Sequence, residues 1–231
     1  MEQLPLSVRL RPASTFATFS VGENAALVAA LKARARMPGH QPLWLWGGAG
    51  SGRTHLLQAT CAAAGHAGRR AAYLPLGDAA LHPGHLAGLG ELDVLCLDDL
   101  GIVGGRPEWQ AALFGLYQSL RERDSVLVMA AACSPLAVSF PLPDLASRLR
   151  AAEVFQLRPL PEADQGPALV HRAAVLGLDL PPETLTYLQR RLPRDFASLC
   201  DVLDRLDDAA LAAQRPLTVP FVRAVLDGEQ R

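Results

Sequence analysis

Two short stretches of this chain carry residue types at a spacing that could do phosphate chemistry. The first is GGAGSGRTH. Gly47, Gly48, Gly50, Ser51 and Gly52 form a loop whose backbone N–H groups can turn inward around a phosphate. Thr54 stands where a hydroxyl would reach a magnesium ion, and His55 follows it among the nucleotide-contacting positions. The usual pattern places lysine before that hydroxyl, and here the residue is Arg53. Arginine keeps the charge but carries a bulky planar fork. Phosphate binding is therefore expected to survive, whereas placement of a terminal phosphate for in-line attack is not. The second stretch is LDVLCLDDLG. Its two carboxylates divide the remaining work: Asp98 would hold magnesium through water together with Thr54, and Asp99 would orient an attacking water.

These groups need strands and helices to hold them. PLWLW supplies a strand before the glycine loop, and a helix is expected from about Arg53, aiming its positive end at the phosphate. Five apolar runs alternate with helix-like stretches: Leu43–Trp46, Ala71–Leu76, Leu92–Leu97, Ser125–Ala131 and Glu153–Leu157. Most are continuous in Val, Leu, Ile, Cys or Trp, as strands covered on both faces are. The alternation predicts an α/β fold with a five-stranded parallel sheet. After Leu157 the texture changes. RPLPEADQGP is a Pro- and Gly-rich joint, and beyond it only helical patterns follow. Leu199, Val202, Leu203, Leu206 and Ala210 make one apolar stripe. EADQGPALVHRAAVLG reads as a helix with Gly166 and Pro167 in its first turn, and TVPFVRAVL as one opening on a Thr cap. The expected domains are an N-terminal peptide (1–12), an α/β nucleotide domain (13–158) and a small all-helical lid (159–231).

Bulk properties narrow the class. The formal net charge of −1 over 231 residues argues against a DNA-coating body, and no direct sequence-specific DNA binding is expected. No apolar run is long enough for a membrane span, and MEQLPLSVRL has no signal-peptide core. Cys61, Cys96, Cys133 and Cys200 are widely spaced and read as buried thiols of a reduced, cytoplasmic protein. His82 and His85 form a close pair without further ligands at zinc spacing, so they read as part of a loop.

At this point the sequence resembles the AAA+ P-loop NTPases, and among them the DnaA-like group. STFATFSVGENAALVAAL resembles that group's base-pocket entry, with Phe16, Phe19, Gly22 and Asn24 in place. GGAGSGRTHLLQA resembles its phosphate loop, and LDVLCLDDL followed by PEWQAALFGLYQSLRER resembles its acidic strand and next helix. LPDLASRLRAAEVFQLRPL resembles its arginine-finger segment. The resemblance makes Arg148 a finger acting in trans on a neighbour's nucleotide, with Arg150 beside it expected in a local salt bridge. It also implies ADP or ATP, with magnesium where bound; because the glycine loop and Arg53 can hold two phosphates while the guanidinium crowds a third, ADP is favoured. QLPLSVRL resembles the peptide by which many proteins hold the replicative sliding clamp, the polymerase III beta subunit, with Gln3, Leu4, Pro5 and Leu6 as its contacts. A clamp peptide and a DnaA-like ATPase domain without a basic helix-turn-helix together resemble the regulatory inactivators of DnaA. That resemblance implies a negative regulator of replication initiation that stimulates ATP hydrolysis on DnaA while bound to the clamp.

The chain also departs from active family members. Ala130, Ala131 and Ala132 stand where a polar sensor would follow the fourth strand. Ala197 stands where a second sensor arginine is expected, with Arg194 one turn away. With Arg53, these positions weaken hydrolysis by this chain more than binding, so it is not expected to be an efficient ATPase alone. An autonomous AAA+ ATPase, such as a helicase loader or remodeller, remains the alternative. The sequence leaves open whether the protein forms a homo-oligomer.

Overall fold

The structure is a computed structural model, and it describes residues 10–193 and 195–228. Gln3, Leu4, Pro5 and Leu6, and also Arg194, lie outside the described residues. The chain divides into two compact units. One contains the residues up to Phe16 and Asn24–Arg158. The other contains Ala17–Glu23 and the residues from Pro159 onward.

The first unit runs α1 (Ala25–Arg36), β1 (Leu43–Trp46), α2 (Arg53–His66), β2 (Ala71–Pro75), two 3-10 turns (Pro83–Leu86 and Leu89–Glu91), β3 (Val94–Asp98), α3 (Leu100–Gly104), α4 (Pro107–Glu122), β4 (Val126–Ala131), α5 (Pro143–Arg150) and β5 (Glu153–Gln156). All strand pairs are parallel, in the order β2-β3-β4-β1-β5. The chain leaves β1 toward the β2 edge, and every later crossover steps back the other way. This reversal makes the C-terminal end of β1 the switch point where open α/β sheets bind ligands.

The interior strands β3 and β4 are buried along their whole length, which accounts for their unbroken apolar runs. Trp44 of β1 is fully buried; its indole N–H donates to the Cys133 carbonyl at 3.1 Å, and its ring meets Phe140 edge-on. β5 is different. It is an edge strand whose Glu153, Val154 and Gln156 are exposed, so the expected two-sided cover is absent there.

The second unit holds α6 (Glu162–Val175), α7 (Pro182–Arg191), α8 (Phe196–Ala213) and α9 (Val219–Gly228). The stripe of α8 (Leu199, Val202, Leu203, Leu206 and Ala210) is buried against Leu169, Leu188 and Val222. Asp195 caps α8 by accepting from the Ser198 N–H at 2.8 Å. The N–H of Val222 bonds to the Thr218 carbonyl, so α9 starts where expected. α6 does not. It begins at Glu162, which puts Pro167 inside the helix, beyond the first turn. Glu162 and Asp164 suit the positive helix end, so the helix starts early and forgoes one backbone bond at the proline.

Ala17–Glu23, expected inside the nucleotide domain, groups with the helices instead. Arg172 of α6 gives one reason. Its guanidinium is buried, makes a bidentate pair with Asp204 at 2.7 and 3.0 Å, and reaches the Thr18 carbonyl at 3.4 Å. No helix among the described residues is long and apolar enough to cross a membrane.

Candidate functional site

The loop between β1 and α2 is built on a close backbone approach. The Gly47 N–H bonds to the Ala131 carbonyl of β4 at 3.3 Å. A Cβ on Gly47 would lie 2.8 Å from the Ser51 hydroxyl and 3.0 Å from the Leu157 carbonyl, so only glycine fits. Gly52, the residue before α2, has φ 98°, a left-handed conformation that starts the helix without a side-chain cap. The first N–H groups of α2 therefore lack intrahelical partners and stand at its positive end. Gly48 and Gly50 are exposed in the same loop.

Two polar side-chain atoms here are buried without a hydrogen-bond partner among the described residues: the Ser51 hydroxyl oxygen and Nη1 of Arg53. Buried donors left unpaired are costly, and a phosphate chain in the loop would satisfy both. The residues present thus fit the phosphates of a nucleotide.

The acidic strand reaches the loop as its spacing implies. Asp98 ends β3, is 1 % exposed, and its Oδ2 accepts from the Thr54 hydroxyl at 2.6 Å. That pairing is the arrangement in which a magnesium ion would be held between hydroxyl and carboxylate. The same oxygen accepts from the Tyr73 phenol of β2 at 3.0 Å. Burial, and then the Asp98 charge, push the Tyr73 phenol well above its usual range, so it stays a donor. Sequence reasoning missed Tyr73, because nothing local in AAYLP marks a residue whose role depends on a strand pairing.

Asp99 follows in a left-handed conformation, φ 53°. Its carboxylate lies 3.5 Å from Nη2 of Arg53, an ion pair joining the atypical loop residue to the carboxylate expected to orient water. Burial raises the Asp99 pKa first and the Asp98 charge second, while Arg53 acts in the opposite direction.

Other expected positions are placed differently. Asn24 is buried, and its amide is used on both sides by the backbone of Arg158: Nδ2 donates to the carbonyl at 3.0 Å, and Oδ1 accepts from the N–H at 2.8 Å. It clasps the chain just after β5. The His55 ring nitrogen Nε2 lies 2.8 Å from the Thr15 carbonyl. Phe19 is half-buried and belongs to the second unit. Ala130 and Ala131 are fully buried at the end of β4.

Arg148 lies on α5. Its guanidinium carbon is 5.4 Å from the centroid of Phe114 and 5.5 Å from that of Tyr117, both on α4. Among the described residues Arg148 makes no ion pair. The expected salt bridge of Arg150 is absent as well, because that side chain is exposed and no carboxylate among the described residues reaches it.

Comparison with known proteins agrees with this geometry. Residues 10–75 match the family model of the bacterial DnaA ATPase domain, and residues 162–226 match that of the Hda lid domain. Among solved structures, domain III of the Thermotoga maritima replication initiation protein DnaA superposes with a TM-score of 0.73 at 22 % identity, covering 95 % of this chain and 98 % of that one. AMPPCP-bound DnaA from Aquifex aeolicus gives 0.64 at 20 % identity, over 87 % of this chain and 67 % of that one. The Thermotoga maritima RuvB branch migration motor gives 0.56 at 15 % identity, over 90 % and 67 %. A DnaA-type ATPase segment at one end and an Hda-type lid at the other, joined through the sheet fold of these neighbours, make the chain similar to the DnaA-like AAA+ proteins.

Proposed function

We propose that this protein is a regulatory inactivator of DnaA. Holding an adenine nucleotide in its own loop and the sliding clamp through its N-terminal peptide, it stimulates hydrolysis of ATP on DnaA in the cytoplasm. The observation that carries the reading is the Hda-type lid joined to a DnaA-type ATPase segment. The site geometry supports it. The loop has unpaired donors for phosphates, so it can bind. The Arg53–Asp99 pair and the alanines ending β4 leave little to drive turnover of that nucleotide. Nucleotide bound there supplies fixed charge that orders the loop; ADP suffices for this.

The chemistry then falls to Arg148 in trans. A positive charge delivered to a transferring phosphoryl group is worth about 10³–10⁵ in rate. The test converts DnaA-bound ATP to ADP in the presence of clamp loaded on DNA. Arg148→Ala should return the rate to that of DnaA alone, Arg148→Lys should rescue poorly because it lacks the planar fork, and Arg150→Ala should behave as wild type. Full stimulation by Arg148→Ala would reject the assignment.

The intact Thr54–Asp98 couple favours a second reading, an autonomous ATPase acting as loader or remodeller. Fast ATP turnover by the isolated protein, unaffected by DnaA, would select it.

A further inference from the structure

The surroundings of Arg148 go beyond its assignment as a finger. α4 carries Phe114 and Tyr117 three residues apart, on one face of the helix. Both rings lie under the same guanidinium, within the roughly 6 Å at which a cation is attracted to a ring face. Leu145, Ala146 and Leu149 anchor α5 in the core, so the helix beneath the arginine is fixed. A carboxylate partner would also orient Arg148, but it would neutralise the charge the arginine has to deliver. Two ring faces orient it and leave that charge intact. Such ring contacts are strong enough to bias a long, flexible side chain and weak enough to release when the partner is met.

We infer that Phe114 and Tyr117 are positioning residues: they hold Arg148 oriented and un-neutralised for the phosphate groups of the partner's nucleotide. This rests on the reading of Arg148 as a finger acting in trans.

The test uses the full-length protein, clamp loaded on DNA and ATP-bound DnaA, and titrates the protein to saturation. Phe114→Leu and Tyr117→Leu keep apolar bulk and remove the ring; Phe114→Tyr and Tyr117→Phe keep the ring. The double leucine variant should lower maximal stimulation roughly 10- to 100-fold, the scale of a misplaced catalytic group. The concentration giving half-maximal stimulation should stay unchanged, which a disrupted docking surface would not allow. Ring-preserving variants should retain wild-type stimulation. In an Arg148→Ala background the leucine substitutions should cost nothing further. Each single leucine variant should show part of the loss, so the inference stays testable even if the double variant folds poorly. The inference is overturned if Arg148→Ala abolishes stimulation while the single leucine variants stimulate fully, or if the leucine variants shift only the half-maximal concentration. If Arg148→Ala itself stimulates fully, the finger reading has failed.

Discussion

Arg53 shows what one residue changes in a phosphate loop. Lysine would present a compact charge to two phosphates, whereas the arginine fork reaches one carboxylate with Nη2 and keeps Nη1 buried and unpaired. On the proposed reading, two phosphates would satisfy that donor, whereas a third would compete for space with the fork and meet a carboxylate already engaged. Calorimetry should therefore find ADP bound at least as tightly as ATP. Arg53→Lys should move the ADP-to-ATP preference toward ATP by about tenfold, the ~1.4 kcal/mol of one charge-assisted contact. A wild-type protein that strongly prefers ATP and turns it over quickly would sink this account. The loop and both aspartates were legible in the sequence because strand, glycines and carboxylates are read from local spacing. Tyr73 was not, since its hydrogen bond to Asp98 exists only through the β2–β3 pairing. Nor was the use of Asn24 to clasp Arg158, a contact 134 positions away along the chain.

At the scale of elements, continuous apolar runs identified the buried strands, because cover on both faces leaves no polar alternation to read. β5 was found for a weaker reason, as its exposed Glu153, Val154 and Gln156 show. The sequence also did not reveal that Ala17–Glu23 groups with the helices, because Arg172, which bonds Thr18, looks like any surface arginine of an amphipathic helix. In the fold it is 2 % exposed and pairs with Asp204 of α8. Breaking a buried pair on one side leaves a charge without compensation. Asp204→Ala should thus destabilise the helical unit by about 3 kcal/mol or more. Each kcal/mol shifts the midpoint by roughly 2–4 °C in a protein of this size. Replacing Arg172 and Asp204 together by Met and Leu should recover most of the loss, because two apolar side chains leave no buried charge. Thermal unfolding of the wild type and of both variants measures this, and an unchanged midpoint for Asp204→Ala would show the pair contributes nothing.

At the scale of the whole molecule, the proposed activity needs two attachments. The finger must reach DnaA, and the protein must be brought to replicated DNA by the clamp. In that activity the second would fall to QLPLSVRL, whose residues 3–6 lie outside the described structure. Pro5 biases Leu4 toward an extended backbone, the form in which a peptide lies along a surface groove. Leu4 and Leu6 would bury their side chains there at roughly 1.5–3 kcal/mol each, and Gln3 would fix the register by hydrogen bonding. Losing about 3–6 kcal/mol from a short peptide leaves no measurable affinity, at about tenfold per 1.4 kcal/mol. Leu4→Ala with Leu6→Ala should therefore abolish binding to the clamp in a pull-down or by calorimetry. ADP affinity and thermal unfolding should be unchanged, because the loop and both cores are built from other residues. Stimulation of DnaA should fall when clamp-loaded DNA limits the encounter and recover partly at high protein concentration, since the finger itself is intact. Arg148→Ala should not recover at any concentration. That contrast separates a lost attachment from a lost chemical group, and undiminished clamp binding by the double variant would remove the peptide from the mechanism.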